Sequence, residues 1–294
     1  MARRKIQGLR VIVTGASSGI GRELARELGR QGAKLVLVAR RQQRLEELAA
    51  EIAPAGEKGT QGVPGPHLCD SREAGPASGP FRQMGTVPFF RPEIVAGDIS
   101  DPSVRQSAVY RAESRYGGLD ALVNNAGIGA LGRFEDANPE RLRQVMEVNF
   151  FALVEMTRLA LPLLRQGNRP ILVNIASILG HRATPFSSEY SASKFAVRGF
   201  SEALRAEWTR HGIDVLVVSP GRTETEFFEQ VIEQTGVPAW PALATANPAA
   251  VARQIVRAMR RGRHEIIPHR GARALAWLNR LCPRLVDAIM ARYG

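Results

Sequence analysis

Leu9-Arg10-Val11-Ile12-Val13-Thr14-Gly15-Ala16-Ser17-Ser18-Gly19-Ile20-Gly21 is the stretch that decides the fold. Its first six residues are a short apolar run rich in β-branched side chains, which reads as a strand. Glycines at 15, 19 and 21 follow, then Leu24, Ala25 and Leu28 recur at helical spacing until Gly32. Lys34 to Ala39 is a second buried strand. Strand, glycine loop, helix and strand form a βαβ unit, with parallel strands and a right-handed crossover. Such a loop aims backbone N–H groups and a helix N-terminus at an anion. Gly15 permits the tight turn, Gly19 lets a pyrophosphate approach the backbone, and Gly21 lets the helix pack close to the strand. The spacing is Gly-x-x-x-Gly-x-Gly, not Gly-x-Gly-x-x-Gly, so its position after the first strand carries much of the phosphate reading.

Outward from this unit, strand and helix keep alternating. Strands are expected at Glu93–Asp98, 121–124, 171–175, 215–218 and 265–267. Helices are expected at 42–52, 104–116, 139–164, from Tyr190 past Trp208, and at 248–261. This order predicts an α/β fold: a doubly wound, mostly parallel sheet in a three-layer α/β/α arrangement. One domain, 1–270, is expected, with a tail at 271–294. Residues 54–92 interrupt the pattern with seven Gly and seven Pro in 39 positions, a composition that predicts a mobile surface insert.

Composition narrows the function classes. The 294 residues suffice for a substantial core. Cys69 and Cys282 cannot build a disulfide framework, so a reducing cytoplasm is expected. No run approaches the roughly 20 apolar residues of a membrane span. The net charge of +12 would suit an anionic partner, but no nucleic-acid module or metal-ligand spacing accompanies it. Arginines spread over solvated helix faces account for the charge, so neither nucleic acid nor a metal is expected. His67 and Cys69 in the insert are read as incidental.

Tyr190 and Lys194 sit four apart at the head of a long helical pattern, on one face. Only four of the 40 basic residues are Lys, so a Lys here stands out. A cation at ~4 Å with an effective dielectric of ~20 favours phenolate by ~4 kcal/mol, about three pK units. That would bring a phenol from ~10 towards neutrality, where a general acid/base works best. The spacing alone also fits a half-buried Tyr beside a solvated Lys. At the other end, the residue closing the second strand reads the adenosine ribose. An acid there favours NAD, whereas Arg accommodates a 2′-phosphate. The chain has Arg40 and Arg41, which predicts NADP(H) over NAD(H).

Together these residues resemble the short-chain dehydrogenase/reductase family in its common one-domain Rossmann form. The matching motifs are Thr14 to Gly21, Asp98-Ile99, Asn124-Asn125-Ala126-Gly127, Asn149, Ser177, Tyr190-x-x-x-Lys194, and Pro220-Gly221 with Thr225. The resemblance implies Asn149, Ser177, Tyr190 and Lys194 as the catalytic set. Tyr190 is then the general acid in reduction and the base in oxidation. Ser177 bonds the substrate oxygen, and Asn149 helps hold a water relaying protons to Lys194. Lys194 binds the nicotinamide ribose and lowers the phenol's pKa. It also implies a cofactor site of Gly15, Ser17, Ser18, Gly19, Ile20, Gly21, Arg40, Arg41, Asp98, Ile99, Asn125, Ala126, Gly127, Tyr190, Lys194, Pro220, Gly221, Thr223 and Thr225. Ser18 replaces a basic residue common in NADP-preferring relatives, so that preference rests on Arg40 and Arg41. The implied function is reduction of a ketone or aldehyde, or oxidation of the matching secondary alcohol, by hydride transfer. The alternative is a cofactor-binding sensor or scaffold of the same fold without turnover.

Ile178, Leu179, Phe186, Phe227, Phe228, Val237 and Trp240 are candidates for an apolar substrate pocket. In the tail, Leu275, Leu278, Cys282, Leu285, Ile289 and Tyr293 fall near one helical face with arginines alongside, and Pro283 should break the helix. This stripe suits packing on its own domain, on a second subunit, or peripherally at a membrane surface. The resemblance implies a homodimer or homotetramer built on long helices.

Overall fold

The computed structural model describes residues 4–53, 90–227, 231, 232, 234, 235 and 245–293. Most of the 54–92 insert, with His67 and Cys69, lies outside them, as do Phe228, Val237 and Trp240. Seven parallel strands form the sheet: β1 (Arg10–Thr14), β2 (Lys34–Ala39), β3 (Glu93–Ala96), β4 (Ala121–Asn124), β6 (Ile171–Ile175), β7 (Asp214–Val218) and β9 (Glu265–Ile266). Their spatial order is β3-β2-β1-β4-β6-β7-β9. A second sheet pairs β5 (Leu131–Gly132) with β8 (Gln234–Thr235) in parallel, which the sequence pattern had not suggested. The order reverses between β1 and β4. Connections leave those strands in opposite directions there, and a crevice opens at their carboxyl ends.

Strand alternation explains the two helix layers. Val11 and Val13 of β1, with Leu35 and Leu37 of β2, face a core containing Leu24, Leu28 and Ile255. That core lies under α1 (Gly19–Arg30), α2 (Gln42–Ile52) and α7 (Pro248–Arg261). Ile12, Val36 and Val38 face the other core, with Leu122, Met156 and Trp208. That layer holds α3 (Pro102–Tyr116), α5 (Ala152–Arg165) and α6 (Ser188–Trp208). Each fully buried aliphatic side chain stabilises the fold by roughly 1.5–3 kcal/mol. Three helices begin with the same device: Asp101-Pro102, Asn138-Pro139 and Asn247-Pro248. The first residue accepts backbone N–H bonds, and proline occupies the position whose own N–H would be idle.

The helix expected at 139–164 is not continuous. It runs as α4 (Pro139–Met146), one π-helical turn at Glu147–Phe151, and then α5. Such a turn inserts an extra residue into the helical ladder and often marks a functional site; here it carries Asn149. The tail forms α8 (Arg270–Leu281) and α9 (Pro283–Met290), divided just before Pro283. No helix among the described residues is long and apolar enough to cross a membrane.

Candidate active site

A cleft of about 1470 Å³ runs along the carboxyl edge of the sheet. At one end the glycine loop leaves β1. Gly15 has φ +65°, and a Cβ there would lie 2.7 Å from the Asn125 amide nitrogen. One on Gly21 would lie 2.3 Å from the same atom, so both positions exclude a side chain. Asn125 is held there because Nδ2 donates to the carbonyls of Thr14 (3.0 Å) and Gly15 (3.1 Å). The Thr14 hydroxyl in turn accepts the N–H groups of Asn125 (2.9 Å) and Ala126 (3.0 Å). Asn125 thus clasps the loop ends of β1 and β4 besides lining the cleft. Ser18 opens α1 without a side-chain cap, which leaves the first N–H groups of α1 to an anion.

Ser17, Ser18, Gly19, Ile20, Arg40, Arg41, Asp98 and Ile99 line the same end. Arg41 donates to Ser17 Oγ (3.2 and 3.3 Å) and to Glu226 (2.8 Å), while Arg40 is exposed at the rim. Asp98 Oδ1 accepts the N–H (2.9 Å) and hydroxyl (2.7 Å) of Ser100, which fixes the turn after β3. A glycine cradle, an uncapped helix start and a guanidinium cluster fit a phosphate-bearing dinucleotide.

The other end gathers Ser177, Tyr190 and Lys194. Ser177 follows β6 with extended backbone and caps the short 3-10 turn at Ile178–Gly180. Its hydroxyl accepts the Leu179 N–H (3.2 Å) and, beside the Tyr190 phenol, favours the ionised form of that group. Lys194 is buried; its Nζ donates to the Ile175 carbonyl (3.1 Å) and lies 5.6 Å from the Tyr190 ring centre. Asn149 is fully buried. Its Oδ1 accepts the Ile128 N–H (2.8 Å), and its Nδ2 donates to the Ile128 carbonyl and Ser193 Oγ, both at 3.0 Å. Asn149 and Lys194 both crowd the position a Gly127 side chain would take: a Cβ there would lie 3.0 Å from Asn149 Oδ1 and 3.5 Å from Lys194 Nζ. Ala126, Gly127, Pro220, Gly221, Thr223 and Thr225 complete the wall between the two ends.

The electrostatics correct one expectation. Lys194 does not bring the phenol to neutrality in the free protein. Tyr190 faces the cleft, yet the protein packed around it pushes the phenol up to about 12, and the Ser177 hydroxyl offsets only part of this. Burial also lowers the Lys194 ammonium to about 8. Desolvation disfavours both charged forms and is the largest cause of both shifts.

Sequence reasoning missed the Glu189–Arg141 pair and the cleft residues Val231, Ile232 and Met290, while Phe227, Ile178 and Leu179 stand where it placed them. Glu189, beside Tyr190, forms a buried ion pair with Arg141 of α4 (2.7 Å). Burial pushes the Glu189 carboxyl up, but hydrogen bonds from Ser188 and Arg141 outweigh it and hold the group below its ordinary value. Phe227 packs at 5.5 Å, tilted, on the Tyr190 ring. Ile178, Leu179, Phe227, Val231 and Ile232 give the cleft an apolar end. Phe186 does not join them; it adopts a left-handed φ of 63° in the loop before α6. The tail does contribute: Leu275, Ile289, Met290 and Tyr293 reach the cleft. Arg182 ties α8 and α9 down through Asn279 (3.3 Å) and Asp287 (2.6 Å). Leu278, Cys282 and Leu285 face outward, so the expected single stripe is split. Among the described residues no cluster could hold a metal ion.

Comparison with known proteins settles the family. The model of the short chain dehydrogenases matches residues 10–63 and 72–236. The chain belongs to the short-chain dehydrogenase/reductase family. It is 32% identical over 294 residues to the bovine (Bos taurus) dehydrogenase/reductase SDR family member 7B, covering 98% of this chain and 82% of that protein. A short chain dehydrogenase from Burkholderia cenocepacia, solved with NADP, superposes with a TM-score of 0.73 at 25% identity, covering 98% of this chain and 99% of the other. A family member from Burkholderia phymatum, solved with NAD, gives a TM-score of 0.76 at 21% identity and 96% coverage of each; it speaks to the fold alone. The chain is therefore an NAD(P)-dependent dehydrogenase/reductase acting on CH–OH or C=O groups.

Proposed function

We propose that this enzyme is an NADP(H)-dependent reductase of a hydrophobic ketone or aldehyde, or a dehydrogenase of the matching alcohol, with Tyr190 as general acid/base. The observation that carries the chemistry is the gathering of Ser177 and Tyr190 in one wall of the cleft beside buried Lys194. The bound nicotinamide supplies the hydride. Ser177 and Tyr190 present two hydroxyl donors to the substrate oxygen as charge develops on it. A phenol held near 12 is fully protonated at neutral pH, so it can deliver its proton to that oxygen. In the reverse direction it takes the proton back, and burial opposes that step until the pH rises. Lys194 holds the nicotinamide ribose, and Asn149 fixes the backbone of Ile128 and the Ser193 hydroxyl around it, supporting a proton path.

The preference for NADP(H) is supported by Arg40 and Arg41 at the adenosine end, with Arg44 close by. The apolar cleft end supports a hydrophobic substrate. Phe151, Leu159 and Phe195, exposed on the π turn, α5 and α6, support a homo-oligomer built on those helices. Trp277, Leu281 and Leu285 on the outer face of the tail, beside Arg280 and Arg284, support peripheral contact with a membrane from the cytoplasm. The test is a panel of hydrophobic ketones and aldehydes, followed by NADPH and NADH consumption in parallel. Turnover with NADPH at least about tenfold faster than with NADH is expected. Cofactor binding without turnover of any carbonyl would support a sensor instead.

A further inference from the structure

One carboxylate joins two of the arginines that the NADP(H) reading assigns to a 2′-phosphate. Glu226 Oε2 accepts from Arg41 Nη1 at 2.8 Å, and Oε1 accepts from Arg44 Nη1. Glu226 comes from the other half of the chain, beyond β7. Its neighbours on each side touch the two ends of the cleft. Thr225 packs against the glycine loop, its Cγ2 2.9 Å from where a Gly19 Cβ would be. Phe227 lies on the Tyr190 ring and against Gly129, where a Cβ would be 3.0 Å from the Phe227 ring.

We propose that Glu226 is an internal stand-in for the 2′-phosphate, a latch that holds residues 223–227 against the cofactor groove until a 2′-phosphate takes over Arg41 and Arg44. The inference rests on the NADP(H) reading above. A planar guanidinium fork binds carboxylate and phosphate in the same way. The phosphate carries about −1.5 to −2 charge against −1 for the carboxylate, so it wins the exchange. Bonds from Arg44 and Arg41 keep the Glu226 carboxyl below its ordinary range, so the latch is charged at neutral pH. Release of Glu226 frees Thr225 and Phe227 together. The adenosine end thereby signals to the Tyr190 ring through adjacent residues. A dinucleotide lacking the 2′-phosphate leaves the latch closed, so discrimination has a conformational part as well as an affinity part.

The experiment titrates the full chain calorimetrically with adenosine 2′,5′-bisphosphate and with ADP. It compares the parent, Glu226→Gln and Glu226→Ala. Both variants should bind the bisphosphate about three- to tenfold tighter than the parent, the range expected for releasing two partly exposed ion pairs. ADP affinity should stay within about twofold. Hydrogen exchange gives a second readout at the Glu224 amide, which donates to Ala246 O (3.0 Å), and the Phe227 amide, which donates to Thr225 Oγ1 (3.4 Å). In the parent, bisphosphate but not ADP should speed exchange there; in the variants exchange should be fast from the start. A parent that prefers bisphosphate, with variants that bind it no tighter, overturns the latch and leaves the NADP(H) reading standing. Failure of parent and variants alike to distinguish the two nucleotides overturns both. Exchange that bisphosphate leaves unchanged in the parent overturns the latch.

Discussion

The two ends of the cleft are built on opposite electrostatic terms. At the hydride end Ser177, Lys194 and Asn149 are buried, and desolvation has moved Tyr190 and Lys194 away from their charged forms. At the adenosine end Arg40, Arg41, Arg44 and Glu226 keep about a third or more of their side chains in solvent. Charges there are screened, and each pair contributes only about 0.2–1 kcal/mol. The contrast separates two tasks. Chemistry needs fixed, dry donors. Choice of cofactor needs charges that can exchange partners. Substitutions at the buried end should therefore have large effects insensitive to salt, and those at the exposed end small, salt-dependent ones.

The Arg141–Glu189 pair tests the buried side most severely. Arg141→Met strands a buried carboxylate and should destabilise the fold by about 3–5 kcal/mol in denaturant unfolding, with Arg141→Met/Glu189→Met recovering most of that. A loss below about 1 kcal/mol would place the pair with the screened charges instead. Ser177→Ala removes one of the two donors proposed for the reacting oxygen and should lower kcat by about 10²–10³ with an intact fold. Lys194→Met probes the cost of burying an ammonium. Its folded pKa, about 8, lies below the ordinary 10.5, so the unfolded chain holds the extra proton between those values. Stability should then rise with pH across that window. The variant, though inactive, should be roughly 2 kcal/mol more stable than the parent at pH 7, after allowing for the lost bond to Ile175, and the gap should close by pH 10.5. A gap that stays constant with pH would mean the ammonium is not desolvated. The smallest effect is expected from Arg40→Asp, which should shift preference from NADPH towards NADH by about tenfold at low salt, and less at 0.5 M salt.

The same contrast explains what could be read from the sequence. The βαβ unit and the sheet were legible because local spacing carries them, whereas Ser177, Tyr190 and Lys194 stood out as a set only through the family resemblance. Gly15 to Gly21 follow a strand, and Tyr190 and Lys194 share a helix face. Glu189–Arg141 and Glu226–Arg41 were not legible, because each joins residues far apart in the chain and charged side chains leave no periodic signal. The π turn at Glu147–Phe151 was hidden because its residues continue an ordinary helical pattern. The sign of the Tyr190 shift was misread for a different reason. Spacing gives the distance to a cation but not the desolvation of either group, and here desolvation dominates. The tail's arginine-flanked stripe read as one surface, whereas Leu275, Ile289 and Tyr293 turn into the cleft and Leu278 and Leu285 face out.

The most direct test of this division of labour measures NADPH affinity and cofactor-saturated turnover side by side for Tyr190→Phe and Arg41→Ala. Tyr190→Phe should lose turnover by about 10²–10⁴ while binding NADPH within about threefold of the parent. Arg41→Ala should lose about tenfold in NADPH affinity while keeping its saturated turnover. Tyr190→Phe turning over at a rate near the parent's, or Arg41→Ala losing turnover and affinity together, would contradict the account.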